Sequence, residues 1–187
     1  KRVYDSLHAG RSGDFGFGWS LALQEADIAE TVPQTGSGFG STPFKVGTRV
    51  YLTAPDGKRI GFTFLPEIGA VSFLGTAYRA VFKPDPGITY PLSVPEGDTP
   101  FLSLNSAGEA GLFFIPVPWN PDTYILTDRQ GMRYTYAQAE GLIEIEDANG
   151  NRVTFSQEAI AHSSGPQVQL ARDPSGRITQ IAAPDGR

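Results

Sequence analysis

Six times along this chain, a strand-like run meets a three-residue segment that ends in glycine. The segments are Pro55-Asp56-Gly57, Ser106-Ala107-Gly108, Arg129-Gln130-Gly131, Ala148-Asn149-Gly150, Pro174-Ser175-Gly176 and Pro184-Asp185-Gly186. A three-residue hairpin loop is built as a type I turn followed by a left-handed residue, and glycine takes that last position without steric cost. Proline suits the first position because its φ is already near that of a type I turn. Asp128, Asp147 and Asp173 precede three of the loops, where a carboxylate can accept backbone N–H groups. Few folds tolerate so many tight reversals, and antiparallel hairpins in series are the simplest of them.

The loop length makes a register prediction. Around Gly57 it sets Leu52 opposite Ile60 and Val50 opposite Phe62, and around Gly108 it sets Leu102 opposite Leu112 and Leu104 opposite Ala110. Around Gly131 it pairs Leu126 with Tyr134 and Tyr124 with Tyr136; around Gly150 it pairs Ile145 with Val153 and Ile143 with Phe155. A two-residue turn at Asn149-Gly150 would instead face Glu146 with Val153. A slip of one residue turns a side-chain set to the wrong face, so the three-residue loop is preferred. At Gly176 the same rule faces Leu170 with Gln180, which points to a bulge.

Composition agrees with an all-β chain. There are 22 glycines and 15 prolines among 187 residues, and charged residues are 19%. The 12 Phe, 7 Tyr and 2 Trp supply a core. A net charge of −5 leaves no general basic footprint for nucleic acid. With no cysteine and only His8 and His162, disulfides and thiolate metal sites are excluded and a histidine metal site has little to build on. The most apolar stretch, Gly111 to Trp119, is broken by Pro116 and Pro118, so no membrane span is expected in this segment.

The predicted architecture is a meander of antiparallel hairpins forming a curved sheet, without substantial helix. Residues 1–187 are read as one β-rich segment: 1–48 an opening stretch with a Gly/Pro-rich loop, 49–187 degenerate hairpin repeats. Trp19 to Leu23 is predicted as a strand. Lys83 to Pro100, with five prolines, reads as loop or edge strand. The unevenly spaced repeat ends in a turn with no return strand, so the segment is expected to belong to a longer protein.

Arg2-Val3-Tyr4-Asp5-Ser6 and Gly13-Asp14-Phe15-Gly16-Phe17-Gly18-Trp19-Ser20-Leu21 together resemble the opening of bacterial Rhs/YD-repeat proteins. Asp147-Ala148-Asn149-Gly150-Asn151-Arg152-Val153-Thr154-Phe155 and Arg172-Asp173-Pro174-Ser175-Gly176-Arg177-Ile178-Thr179-Gln180-Ile181 resemble the repeat unit itself. Phe155-Ser156 and Tyr136-Ala137 stand where that family usually has Tyr-Asp. The resemblance implies a β-shell spiralling around a hollow interior, in a secreted or surface-exposed bacterial protein, that encloses or presents a C-terminal effector or adhesive region. On that reading the chain is structural, is not an enzyme and carries no cofactor or metal. Its partner is the remainder of its own polypeptide. No catalytic residue is carried over, because the stretch after Gly176 lacks the later glycine of the family's cleavage motif.

Other chemistries compete for some residues. Asp147, Asn149 and Asn151 partly match a calcium loop, but the turn already accounts for them and the distant bidentate Glu is missing. Glu144 and Glu146 could be paired glycosidase carboxylates, yet the register places them outward, with Glu146 across from Arg152. Ser6-His8 and His162-Ser163 lack a nucleophile elbow. Among the aromatics Trp19, Trp119, Tyr124, Tyr134 and Tyr136, only Trp119 lies in a loop setting, between Pro118 and Asn120-Pro121, that would expose it to a glycan. A carbohydrate-binding or adhesion module is therefore the main rival, with Trp119 as its ligand contact, and a hydrolase the second. Arg59, Arg133, Arg152 and Arg177 follow the turn glycines and are expected to pair with acidic neighbours.

Overall fold

The computed structural model describes residues 2–4, 6, 9–10, 12–21, 28–31, 41–54, 56–115 and 117–185. All the regular elements among them are strands. In chain order these are β1 (Arg2–Tyr4), β2 (Ser12–Gly13), β3 (Gly16–Phe17), β4 (Trp19–Leu21), β5 (Ile28–Glu30), β6 (Arg49–Thr53) and β7 (Arg59–Phe64). Then come β8 (Glu67–Ser72), β9 (Gly75–Arg79), β10 (Phe82–Pro84), β11 (Leu92–Ser93), β12 (Leu102–Leu104) and β13 (Ala110–Leu112). The last are β14 (Thr123–Thr127), β15 (Arg133–Ala137), β16 (Gly141–Glu146), β17 (Arg152–Phe155), β18 (Ala159–His162), β19 (Gln167–Arg172) and β20 (Ile178–Ala182).

Twelve strands form one open sheet in the order β20-β19-β18-β17-β16-β15-β14-β11-β10-β7-β6-β5. Every pairing in it is antiparallel. The chain leaves this sheet twice, as the hairpins β8–β9 and β12–β13. These join through β9 and β12 into a separate four-stranded sheet. The fold is all-β and antiparallel, as the turns predicted, but this second sheet was not foreseen.

The loops around Gly57, Gly108, Gly131, Gly150 and Gly176 share one construction. Their glycines have φ between +73° and +83°. In each, the glycine N–H donates back to the carbonyl three residues earlier, at 2.8–3.2 Å, and a second backbone bond closes the loop. Asp128, Asp147 and Asp173 each accept two backbone N–H groups on Oδ1. Asn105 does the same at the Gly108 loop. Gly186 lies outside the described residues.

The predicted registers at Gly57, Gly108 and Gly131 are those observed. At Gly150 the ladder contains Ile145–Val153 and ends at Glu144–Thr154, one step before the expected Ile143–Phe155 neighbours. At Gly176 the bulge is present between Ala171 and Arg172, and it sets Leu170 opposite Ile181 instead of Gln180. The stretch from Lys83 to Pro100 is corrected in position: β10 and β11 lie inside the large sheet, between β7 and β14. Proline is tolerated there because Pro84 ends β10 and Pro91 precedes β11, where its carbonyl still accepts from the Thr127 N–H at 3.1 Å.

The core joins the two sheets. Phe44, Val50, Leu52, Phe62, Phe64, Leu102, Tyr124, Leu126 and Tyr136 are almost wholly buried, each contributing about 1.5–3 kcal/mol. Rings of Phe44, Phe64, Phe82 and Trp119 lie 5.1–6.3 Å apart in tilted and edge-to-face pairs. Burial thins along the meander, from three buried residues in β14 to none in β20.

Candidate functional site

Two of the four stretches that carry the family resemblance, those of Asp14 and Arg172, meet in space. Gly13 and Gly16 pair in the short β2–β3 hairpin. A side chain at Gly13 is impossible without rearrangement, because its Cβ would lie 2.3 Å from the Trp19 carbonyl oxygen. The reversal holds Asp14 toward the far end of the large sheet. There its Oδ1 accepts a 2.6 Å hydrogen bond from Arg172 Nη1, with both side chains mostly shielded. The Ile178 N–H donates to the Asp14 carbonyl at 2.7 Å. Arg172 also donates to the Gln157 and Gly176 carbonyls, at 2.6 and 2.7 Å.

A cleft of about 330 Å³ runs beside this clip, lined in part by Ser12, Glu140, Leu142, Phe155 and Gln157. Its charged centre is an Arg–Asp pair whose donors already meet backbone acceptors. That arrangement suits anchoring better than proton transfer, because neither group is left poised to exchange a proton with a ligand. The pair escaped sequence reasoning. The available signal was Arg172 itself: the equivalent position before the other loops holds Thr53, Leu104, Thr127 or Glu146.

The other candidates are spread over the molecule. Trp119 requires a correction: it is 6% exposed and packs on Phe44, Phe64 and Phe101. Its backbone bridges two segments, accepting from the Phe44 N–H and donating to the Ala110 carbonyl. A flanking proline on each side thus marks an inserted strand-like residue, and the indole face offers nothing to a sugar. Tyr124 and Tyr136 are buried and adjacent, as expected of packing. Trp19 is half-exposed and stacks on Tyr4 at 5.1 Å, across the β1–β4 pair.

The carboxylates are engaged by neighbours. Glu146 lies between Arg133 at 3.3 Å and Arg152 at 3.6 Å, and Arg177 pairs with Asp173 at 2.9 Å. Both oxygens of Asp147 are taken by Asn149 and Asn151 donors, which hold its carboxyl below the usual range. A cation there would have to displace N–H groups aimed at those oxygens. The serine beside His162 is not its partner: Ser163 Oγ accepts from the Arg152 N–H, while His162 Nδ1 bonds Ser164. His162 thereby caps a further loop, closed at Gly165, that the glycine pattern missed. His8 lies outside the described residues.

Among the described residues, no cluster of three or more His, Cys, Asp or Glu could hold a metal ion. No helix among them is long and apolar enough to cross a membrane. In comparisons with known proteins, no family model, no curated protein and no solved structure matches the chain.

Proposed function

We propose that this chain is a structural wall segment of an Rhs/YD-type β-shell, in a secreted or surface-exposed bacterial protein, with no catalytic role of its own. One observation carries the reading: the same aspartate-capped, glycine-closed loop joins β14 to β15, β16 to β17 and β19 to β20 within a single twelve-stranded sheet. Repetition of one hairpin unit builds surface area and stiffness, as each added strand extends a continuous hydrogen-bond ladder. Asp128, Asp147 and Asp173 serve the loops, and Asp85 and Glu109 serve ion pairs. The clip between Asp14 and Arg172 adds a fastening between the opening segment and the repeat region.

The deciding experiment is electron cryomicroscopy of the full polypeptide that carries this segment, with limited proteolysis of the same sample. The expected result is a hollow β-walled particle in which residues 49–185 form part of the wall, with the C-terminal region protected until the wall is cut. A separate globule tethered by a flexible linker would overturn the proposal. So would turnover of glycoside or ester substrates by the 187-residue chain.

A further inference from the structure

Among the described residues, strand β5 is the last strand of the large sheet and pairs with β6 alone. Its final residue, Glu30, stands opposite Val50, which is fully buried. The carboxyl therefore faces the apolar, buried side. Across that face, the hydroxyl of Tyr124 on β14, 94 positions away, donates to Glu30 Oε1. Gln138, in the turn after β15, is a second hydrogen-bond partner. The other oxygen, Oε2, is buried and makes no hydrogen bond.

We propose that Glu30 is a proton-operated latch: neutral, it fastens edge strand β5 across the buried face to Tyr124; ionised, it lets that strand detach from the sheet. The physical reason is the surroundings of the carboxyl. An ionised carboxylate with one oxygen shielded from water and unpaired is far costlier than a neutral acid in the same place. No cation compensates it from β6, where Arg49 points to the opposite face and binds Asp85. From β14 the groups facing it are Tyr124 and, more remotely through Tyr124, Asp122; from the turn after β15 it is the uncharged Gln138. Burial accordingly pushes Glu30 up from 4.5 to about 7, and pushes Tyr124 well above the usual phenol range. A second tie across the same face, from Tyr136 Oη to the Thr53 carbonyl at 3.1 Å, involves a backbone acceptor and holds at any pH near neutrality.

The sign follows from linkage. Attached β5 keeps the Glu30 proton up to about pH 7, while detached β5 loses it near 4.5. Attachment is strongest below the detached value, weakens about tenfold per pH unit above it, and levels off beyond the attached one.

The test is amide hydrogen exchange of the 187-residue chain between pH 5 and 8.5, corrected for intrinsic exchange and read at residues 28–31. Thr31, whose N–H donates to the Arg49 carbonyl, is included. In the wild type, protection at these amides should fall about tenfold per pH unit up to neutrality and then flatten. In Glu30→Gln it should stay high throughout, while amides of β16 and β17 show no such profile in either protein. Equal protection of wild-type β5 at pH 5 and 8.5, or the same fall in Glu30→Gln, overturns the latch. Should Glu30→Gln not fold, the carbon-13 titration of the wild-type Glu30 carboxyl decides: a midpoint near 7 supports it and one below 5 overturns it.

Discussion

Asp14 and Arg172, 158 positions apart, are joined by a 2.6 Å charge-assisted hydrogen bond that fastens the opening hairpin to the far end of the large sheet. Replacing Arg172 with Ala removes a charged donor from the shielded Asp14 carboxylate and from the Gln157 and Gly176 carbonyls. The expected loss is about 1.5–3 kcal/mol of unfolding free energy. Denaturant unfolding measures that loss, and faster exchange of the Ile178 amide, which donates to the Asp14 carbonyl, localises it. A double-mutant cycle with Asp14→Asn should show strong coupling, because the two side chains share one bond.

Asp147 and Asp173 each favour the folded state most when ionised. Asp147 is held below the usual range first by the Asn151 side chain, and Asp173 first by the Arg177 backbone N–H. Their folded pKa values lie beneath the unfolded ones, so their contribution is complete above the unfolded value and fades as pH falls through the folded one. Thermal unfolding from pH 6 down to pH 2 should show a steep loss for the wild type. The Asp147→Asn, Asp173→Asn double variant should show a shallower one.

Gly61 makes room for an ion pair. A Cβ there would lie 2.5 Å from Arg49 Nη2 and 2.5 Å from Asp85 Oδ2. In Gly61→Ala the pair must move apart, since both groups are side-chain ends that can swing away. The stability of this variant should therefore depend less on salt than the wild type's, as read from melting temperatures between 0.02 and about 0.5 M NaCl, where screening of exposed charge grows.

Trp119 anchors the core where the two sheets meet. Trp119→Ala should cost about 3–5 kcal/mol, as expected when a large buried aromatic leaves a cavity. Trp119→Phe should recover most of it. Urea midpoints distinguish the two; equal midpoints for wild type and Trp119→Ala would contradict the burial.

The β8–β9 turn carries Phe73, 97% exposed, and Leu74, 63% exposed. The Phe113 ring lies 3.8 Å from where a Cβ on Gly75 would sit, and it touches Phe114, also exposed. This contiguous apolar tip should bind a polarity-sensitive dye in the native state. Phe73→Ser with Phe114→Ser should abolish the fluorescence gain while leaving the unfolding midpoint within about 0.5 kcal/mol, as for exposed positions.

Local chemistry was readable in the amino-acid order, and distant partnerships were not. The Gly57, Gly108 and Gly131 registers follow from loop length and alternation, since both act between adjacent strands. The His162 loop is harder to read because an imidazole stands where the Gly108, Gly131, Gly150 and Gly176 loops have Asn or Asp. The small sheet was missed because pairing of β9 with β12 depends on two excursions meeting, not on a turn. The prolines around Trp119 read as a loop, yet its backbone pairs on both sides. Glu30 and Arg172 gave no periodic signal, as each acts across the fold through a single side chain.

From β15 onward every strand pairs with the one made just before it. That half of the molecule can zip up in the order of synthesis, each hairpin closing a short loop at small entropic cost. The opening hairpin has no such freedom. Its aspartate must wait for an arginine made 158 residues later, so only the arrival of β19 locks it down.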